Sequence, residues 1–64
     1  MKTIKFNPKE NGWLRIDGDV ETIVAHFENG GKETMNFMGF ATMNKRKFNK
    51  IVQIGCYKEG EEIV

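Results

Sequence analysis

Four groups of residues are of types that can do chemistry. The first is Asp17 and Asp19, which flank Gly18. Two carboxylates at that spacing can share a divalent cation, but a calcium loop needs further oxygen ligands and a closing Glu at set positions, and these do not follow. Asp-Gly-Asp is also ordinary turn chemistry. The second group is His26 and Cys56, the single histidine and the single cysteine. Zinc takes several His or Cys ligands, so two residues this far apart do not supply a site. Proton transfer by His26 needs a nucleophile and an orienting group, and none can be placed beside it. Cys56 follows Gly55 at the end of an expected helix, whereas a reactive thiolate is favoured at a helix start or beside cations. The third group is Gly30-Gly31, which lacks the Lys-Ser/Thr sequel of a phosphate-binding loop. The reading is therefore of a chain without a catalytic set, a metal centre or a cofactor.

The fourth group is Lys45, Arg46 and Lys47, with Lys50. If a helix starts at Asn44, three cations occupy its first turn, where the helix dipole prefers anions. Residues that go against a local rule can mark function. First-turn amides together with these cations would attract an anion, such as a phosphate backbone or an acidic protein patch. Phe48 and Tyr57 could stack on bases if exposed. No RRM, KH, zinc-finger or helix-turn-helix signature accompanies them.

Elements must hold these groups in place. Residues 2–6 alternate, with Ile4 and Phe6 on one face, and predict a first strand. The stretch 7–12 is a turn containing Pro8 and Gly12. Residues 13–17 predict a second strand, with Leu14 and Ile16 inward and Trp13 on the polar side. A Gly18-Asp19 loop sets Leu14 opposite Ile23 and Trp13 opposite Val24, which keeps apolar residues together. The third strand runs from 20 to 28, and the fourth follows Asn29-Gly30-Gly31. A three-residue loop over 29–31 pairs Ile23 with Phe37, Ala25 with Met35, His26 with Thr34 and Glu28 with Lys32. Residues 38–43 are apolar without alternation and suggest a strand end or crossover.

From Asn44 the period changes. Phe48, Ile51 and Val52 stand three and four apart, as on one face of a helix, and Gly55 suits its end. The competing reading is a strand, because Ile51, Val52 and Ile54 are β-branched. In that case residues 58–61 turn the chain back into 62–64, and the domain is a small all-β sheet or SH3-like barrel.

The 64 residues make one domain at most, and only about 60% of the unfolded surface of such a chain is buried on folding. Five Phe, one Trp and many aliphatic residues supply core material. No apolar run is long enough to span a membrane, and the N-terminus has no export signal. Together with a lone thiol, this predicts a cytoplasmic protein. The wealth of Lys, Asn and Ile suits an AT-rich prokaryotic or phage genome. Net charge is only +1, yet residues 10–33 carry −4 and residues 34–57 carry +4. Such a division can orient an encounter.

The expected fold is α+β: a four-stranded antiparallel meander with a C-terminal helix packed on one face. The expected function is a small non-enzymatic accessory protein that binds and modulates another protein. The alternative is a nucleic-acid binder acting through the basic segment 45–50. A third reading closes a homodimer through surplus apolar surface. The expected binding residues are Lys45, Arg46, Lys47, Lys50, Trp13 and Phe40. Met35, Met38 and Met43 with Phe40 and Trp13 could form an adaptable contact surface, although core packing is the favoured reading for most of them.

Overall fold

The fold is taken from a computed structural model, which describes residues 2–8, 16 and 18–61. Four antiparallel strands form one sheet: β1 (Lys2–Lys5), β2 (Val20–Phe27), β3 (Lys32–Met35) and β4 (Ile51–Lys58). Two short helices, α1 (Phe37–Ala41) and α2 (Lys45–Phe48), lie between β3 and β4. The architecture is a small α+β fold.

The strand order is β1-β4-β2-β3, so the expected C-terminal helix is replaced by a central strand. The β-branched residues Ile51, Val52 and Ile54 decide the matter, because their side chains pack well on a pleated surface and lose rotamer freedom in a helix. The meander order changes with it: β4 flanks β2 on the side away from β3. The all-β alternative also gives way, since two helical segments remain. Its turn at 58–61 is present, with a Glu61 N–H to Lys58 C=O bond of 3.1 Å and Gly60 at φ +84°. Of the expected second strand over 13–17 only Ile16 is described, half-buried against the core; the Trp13 and Leu14 pairings lie outside the described residues, as does the return strand over 62–64.

Between β2 and β4 the register shifts twice. His26 faces Gln53 and Phe27 faces Ile51, so Val52 is an extra residue on β4. This bulge turns Ile51 and Ile54 to the same face. Both are buried in the core, whereas Val52 is 48% exposed. A three-residue spacing that imitates a helix face is thus produced by a strand.

The β2–β3 hairpin has a three-residue loop, placed one residue earlier than expected. Phe27 N–H donates to Gly31 C=O at 2.8 Å and Gly30 N–H to Phe27 C=O at 3.0 Å, leaving 28–30 as the loop. Gly30 takes the left-handed position, φ +89°, and the Asn29 side chain accepts from Gly31 N–H at 2.9 Å. Ile23 therefore faces Met35, Ala25 faces Glu33 and His26 faces Lys32. The slip is of two residues in pairing, so each side chain keeps its face. Gly30→Ala is expected to cost about 1 kcal/mol, because a Cβ disfavours that φ. Urea unfolding of the variant checks this, and an unchanged midpoint would contradict the loop assignment.

The core lies on one face of the sheet. Ile23 and Ala25 from β2 and Ile51, Ile54 and Cys56 from β4 meet Phe6 and Phe40 there. Phe48 from α2 stands edge-on to Phe6, with centroids 5.0 Å apart at 79°, and tilts against Phe40 at 5.7 Å. Such aromatic pairs add to the stabilisation that comes from buried area alone. Val24 and Tyr57 alternate with these residues along their strands and are buried on the other face.

Candidate functional site

The segment between β3 and β4 holds two exposed large apolar residues, Phe37 and Met38, together with the cations Lys45, Arg46, Lys47 and Lys50. Asn36 begins α1: its side chain accepts from Gly39 N–H at 2.8 Å, as an N-cap does. A Cβ on Gly39 would lie 3.3 Å from the capping Asn36 Oδ1, so the glycine leaves room for the cap. Thr42 closes the helix through bonds from its N–H and its hydroxyl to Met38 C=O, at 3.0 and 2.8 Å. Phe40 points into the core, 3% exposed, and fixes which face of α1 is buried. Phe37 and Met38 are thereby left outward, 52% and 68% exposed.

Asn44 caps α2 by accepting from Arg46 N–H at 2.8 Å. The helix is one turn long, and Asn49 N–H and Phe48 N–H already bond to Lys45 and Asn44 carbonyls. With one turn there is little dipole to favour an anion, and Arg46 N–H is occupied. The expected anion site at a long helix start is thus not formed. The cations remain: Lys45, Arg46, Lys47 and Lys50 are all exposed. Lys47 is ion-paired to Glu33 and lies 5.9 Å from the centre of the Phe27 ring. Lys45, Arg46 and Lys50 have no ion-pair partner among the described residues.

A groove of about 340 Å³ opens between α1 and α2, lined by Pro8, Phe40, Ala41, Met43, Lys45, Phe48 and Asn49. Its walls are apolar, and Lys45 and Asn49 are its polar members. Ala41 is one turn from both Phe37 and Met38, so the exposed apolar face of α1 runs into the groove.

The sequence candidates divide as follows. Lys45 and Phe40 come together at the groove, Phe40 as wall rather than outward contact; Arg46 is exposed on α2 and Lys50 on the turn that follows it. Lys47 is turned to the hairpin. Trp13 lies outside the described residues. Of the methionines, Met38 is exposed, whereas Met35 and Met43 are half-buried against the core. Sequence reasoning missed Phe37. Its signal was Asn36, a capping residue followed by an apolar run, with Phe37 and Phe40 three apart.

The other chemical groups are spread out. His26 is half-buried on β2, between Gln53 and Lys32 rather than opposite Thr34. Cys56 is buried in β4 opposite Ile23, not at a helix end. Asp19 pairs with Lys58 at 2.9 Å. The hydrogen bond from Lys58 holds its carboxyl below the usual range, so this pair persists above that range and is lost as pH falls through the lowered value. Asp17 lies outside the described residues. Among the described residues no three His, Cys, Asp or Glu side chains gather as metal ligands, and no helix is long and apolar enough to cross a membrane. Comparison with protein-family models, with curated proteins and with solved structures gave no match to this chain.

Proposed function

We propose that this protein is a non-enzymatic binding module that docks onto another protein through α1 and the groove beside it. One observation carries the reading: Phe37 and Met38 stand outward together, more than half exposed, on a helix anchored by the burial of Phe40. Scattered single apolar residues on a surface are ordinary, but a contiguous apolar face next to a concave site is the form contact surfaces take. Met and Phe are also enriched at protein interfaces. Binding of nucleic acid is less well supported. Tyr57, a stacking candidate, is buried at 4% exposure, Phe48 is half-buried within an aromatic cluster, and Lys47 is neutralised by Glu33.

The test is a Phe37→Ser/Met38→Ser double variant. Both side chains are exposed, so its stability is expected to stay within about 0.5 kcal/mol of wild type. Affinity capture from a lysate of the source organism, compared quantitatively between wild type and variant, is expected to show one stoichiometric protein that the variant loses. Truncating two anchor residues of an interface weakens it by roughly thirtyfold or more. Light scattering distinguishes a self-partner: a wild-type dimer that the variant converts to monomer makes the partner a second copy. If the wild type is monomeric and the variant retains every partner, the reading fails.

A further inference from the structure

The groove's surroundings indicate what kind of partner segment fits it, if the docking surface proposed above is correct. Its walls come from Pro8, Phe40, Ala41, Met43 and Phe48, and its volume of about 340 Å³ is at the lower end for ligand pockets. That space suits one or two large side chains. The polar lining is Lys45 and Asn49. Lys45 opens α2 and Asn49 is its C-cap, and Arg46 and Lys50 are the residues next to them in the chain. Lys47 is drawn away to Glu33. Lys45, which lines the apolar groove, and its chain neighbours Arg46 and Lys50 thus have no ion-pair partner among the described residues.

The local excess is not a property of the whole chain, whose net charge is +1. From residue 34 to residue 57 there is no Asp or Glu. Lys45, Arg46 and Lys50 thus form a run of like charge with no acidic residue between positions 34 and 57 to offset it. A partner carrying carboxylates beside an apolar anchor would offset this charge and fill the groove together. A phosphate backbone would meet the cations but bring nothing apolar to the walls.

We propose that the groove takes a large apolar side chain from a linear protein segment whose neighbouring residues are acidic, with Lys45, Arg46 and Lys50 pairing with those carboxylates. Charges at the rim of an interface act mainly on encounter rate and on selection against wrong partners. The apolar anchor gives the affinity and the cations give the preference.

A random linear peptide library displayed against the immobilised protein tests this. The expected result is an enriched motif of one aromatic or large aliphatic residue with Asp or Glu close on either side. A synthetic peptide of that motif should bind more weakly as salt is raised. Its affinity should fall by about tenfold against Lys45→Glu/Arg46→Glu/Lys50→Glu, given the size of rim-charge effects. Changing the peptide's acids to amides should give the same loss without altering the protein. Enrichment of no peptide, a motif without acids, or equal binding by the charge-reversed variant overturns the proposal. So does a nucleic-acid oligonucleotide that displaces the peptide and binds more tightly. The two readings fail separately. If the Phe37→Ser/Met38→Ser variant loses the cellular partner while the charge-reversed variant keeps it, the docking surface stands and the acidic segment does not.

Discussion

Ile54→Ala is expected to unfold much of the population under conditions in which the wild type is folded. Ile54 has no exposed surface, sits in the central strand β4 and faces Ala25 on one side and Ile4 on the other. Removing a buried Ile side chain costs about 2–5 kcal/mol, as lost transfer energy plus the cavity left behind. A chain of this length has only roughly 3–10 kcal/mol of total stability, from about 0.05–0.15 kcal/mol per residue. The loss is therefore a large share of the whole. Val52→Ala is the paired control, since a helix over this stretch would bury Val52 and the bulge exposes it. Its expected cost is below about 0.5 kcal/mol, as for an ordinary surface change. Urea melts followed by circular dichroism compare the two. Equal losses would contradict a strand with its bulge at Val52.

The second large effect is expected at Gly55. A Cβ built on it would lie 3.2 Å from Tyr57 Cε2 and 3.3 Å from the Tyr57 hydroxyl oxygen. The Tyr57 ring lies across this glycine on the face of the sheet opposite the core, and at 4% exposure it has little room to give way. Gly55→Val adds two further methyl groups at the same place. Overpacking of this kind costs about 1–3 kcal/mol. The cost should shrink when Tyr57→Leu removes part of the ring. A double-mutant cycle is the measurement, and contacting residues commonly couple by about 0.5–3 kcal/mol. Additivity within a few tenths of a kcal/mol would mean that the ring does not press on Gly55.

These two positions show where sequence reasoning held and where it turned. The pattern at Ile4 and Phe6 located β1, and the hairpin glycines located β2 and β3, because a period of two and a left-handed turn residue are local signals. Residues 51–58 resisted because the bulge at Val52 breaks the period of two and leaves Ile51 and Ile54 three apart, the spacing of a helix. The β-branched character of Ile51, Val52 and Ile54 pointed the other way, and the chain followed it. A bulge is set by two strands meeting, so its place cannot be read from one of them. The hairpin slip has a similar origin. Gly30 and Gly31 both tolerate a left-handed backbone, and the choice falls to pairings such as Ile23 with Met35.

The candidate site was half legible. Its cations could be read directly from Lys45, Arg46 and Lys50. Their meaning changed, because a single-turn helix with an Asn44 cap is not the anion-binding start of a long one. The apolar half was hidden. Phe37, Met38 and Phe40 look alike in composition, and only the packing of α1 decides that Phe40 is buried while the other two face outward. The opposed charge blocks proved partly internal, since Glu33 with Lys47 joins them within one molecule, and Asp19 of the acidic block pairs with Lys58, just past the basic one. Both pairs are exposed, so each adds little to stability.

The strand order has a consequence for how the protein is made. β4 lies between β1 and β2 in the sheet, yet it is the last of the four strands to leave the ribosome. Until it emerges, β1 lacks the one strand it pairs with among the described residues, and the Ile23 and Ala25 faces have no Ile54 or Cys56 to meet. Among the described residues, a nascent chain ending before residue 51 holds one paired hairpin, β2–β3, and a two-stranded hairpin is marginal in water by itself. Folding must then close the long loop from β1 to β4, an entropic cost that slows assembly. Translation products stopped short of β4 should therefore be substrates for proteolysis, and the chain should gain protection in one step when that strand arrives.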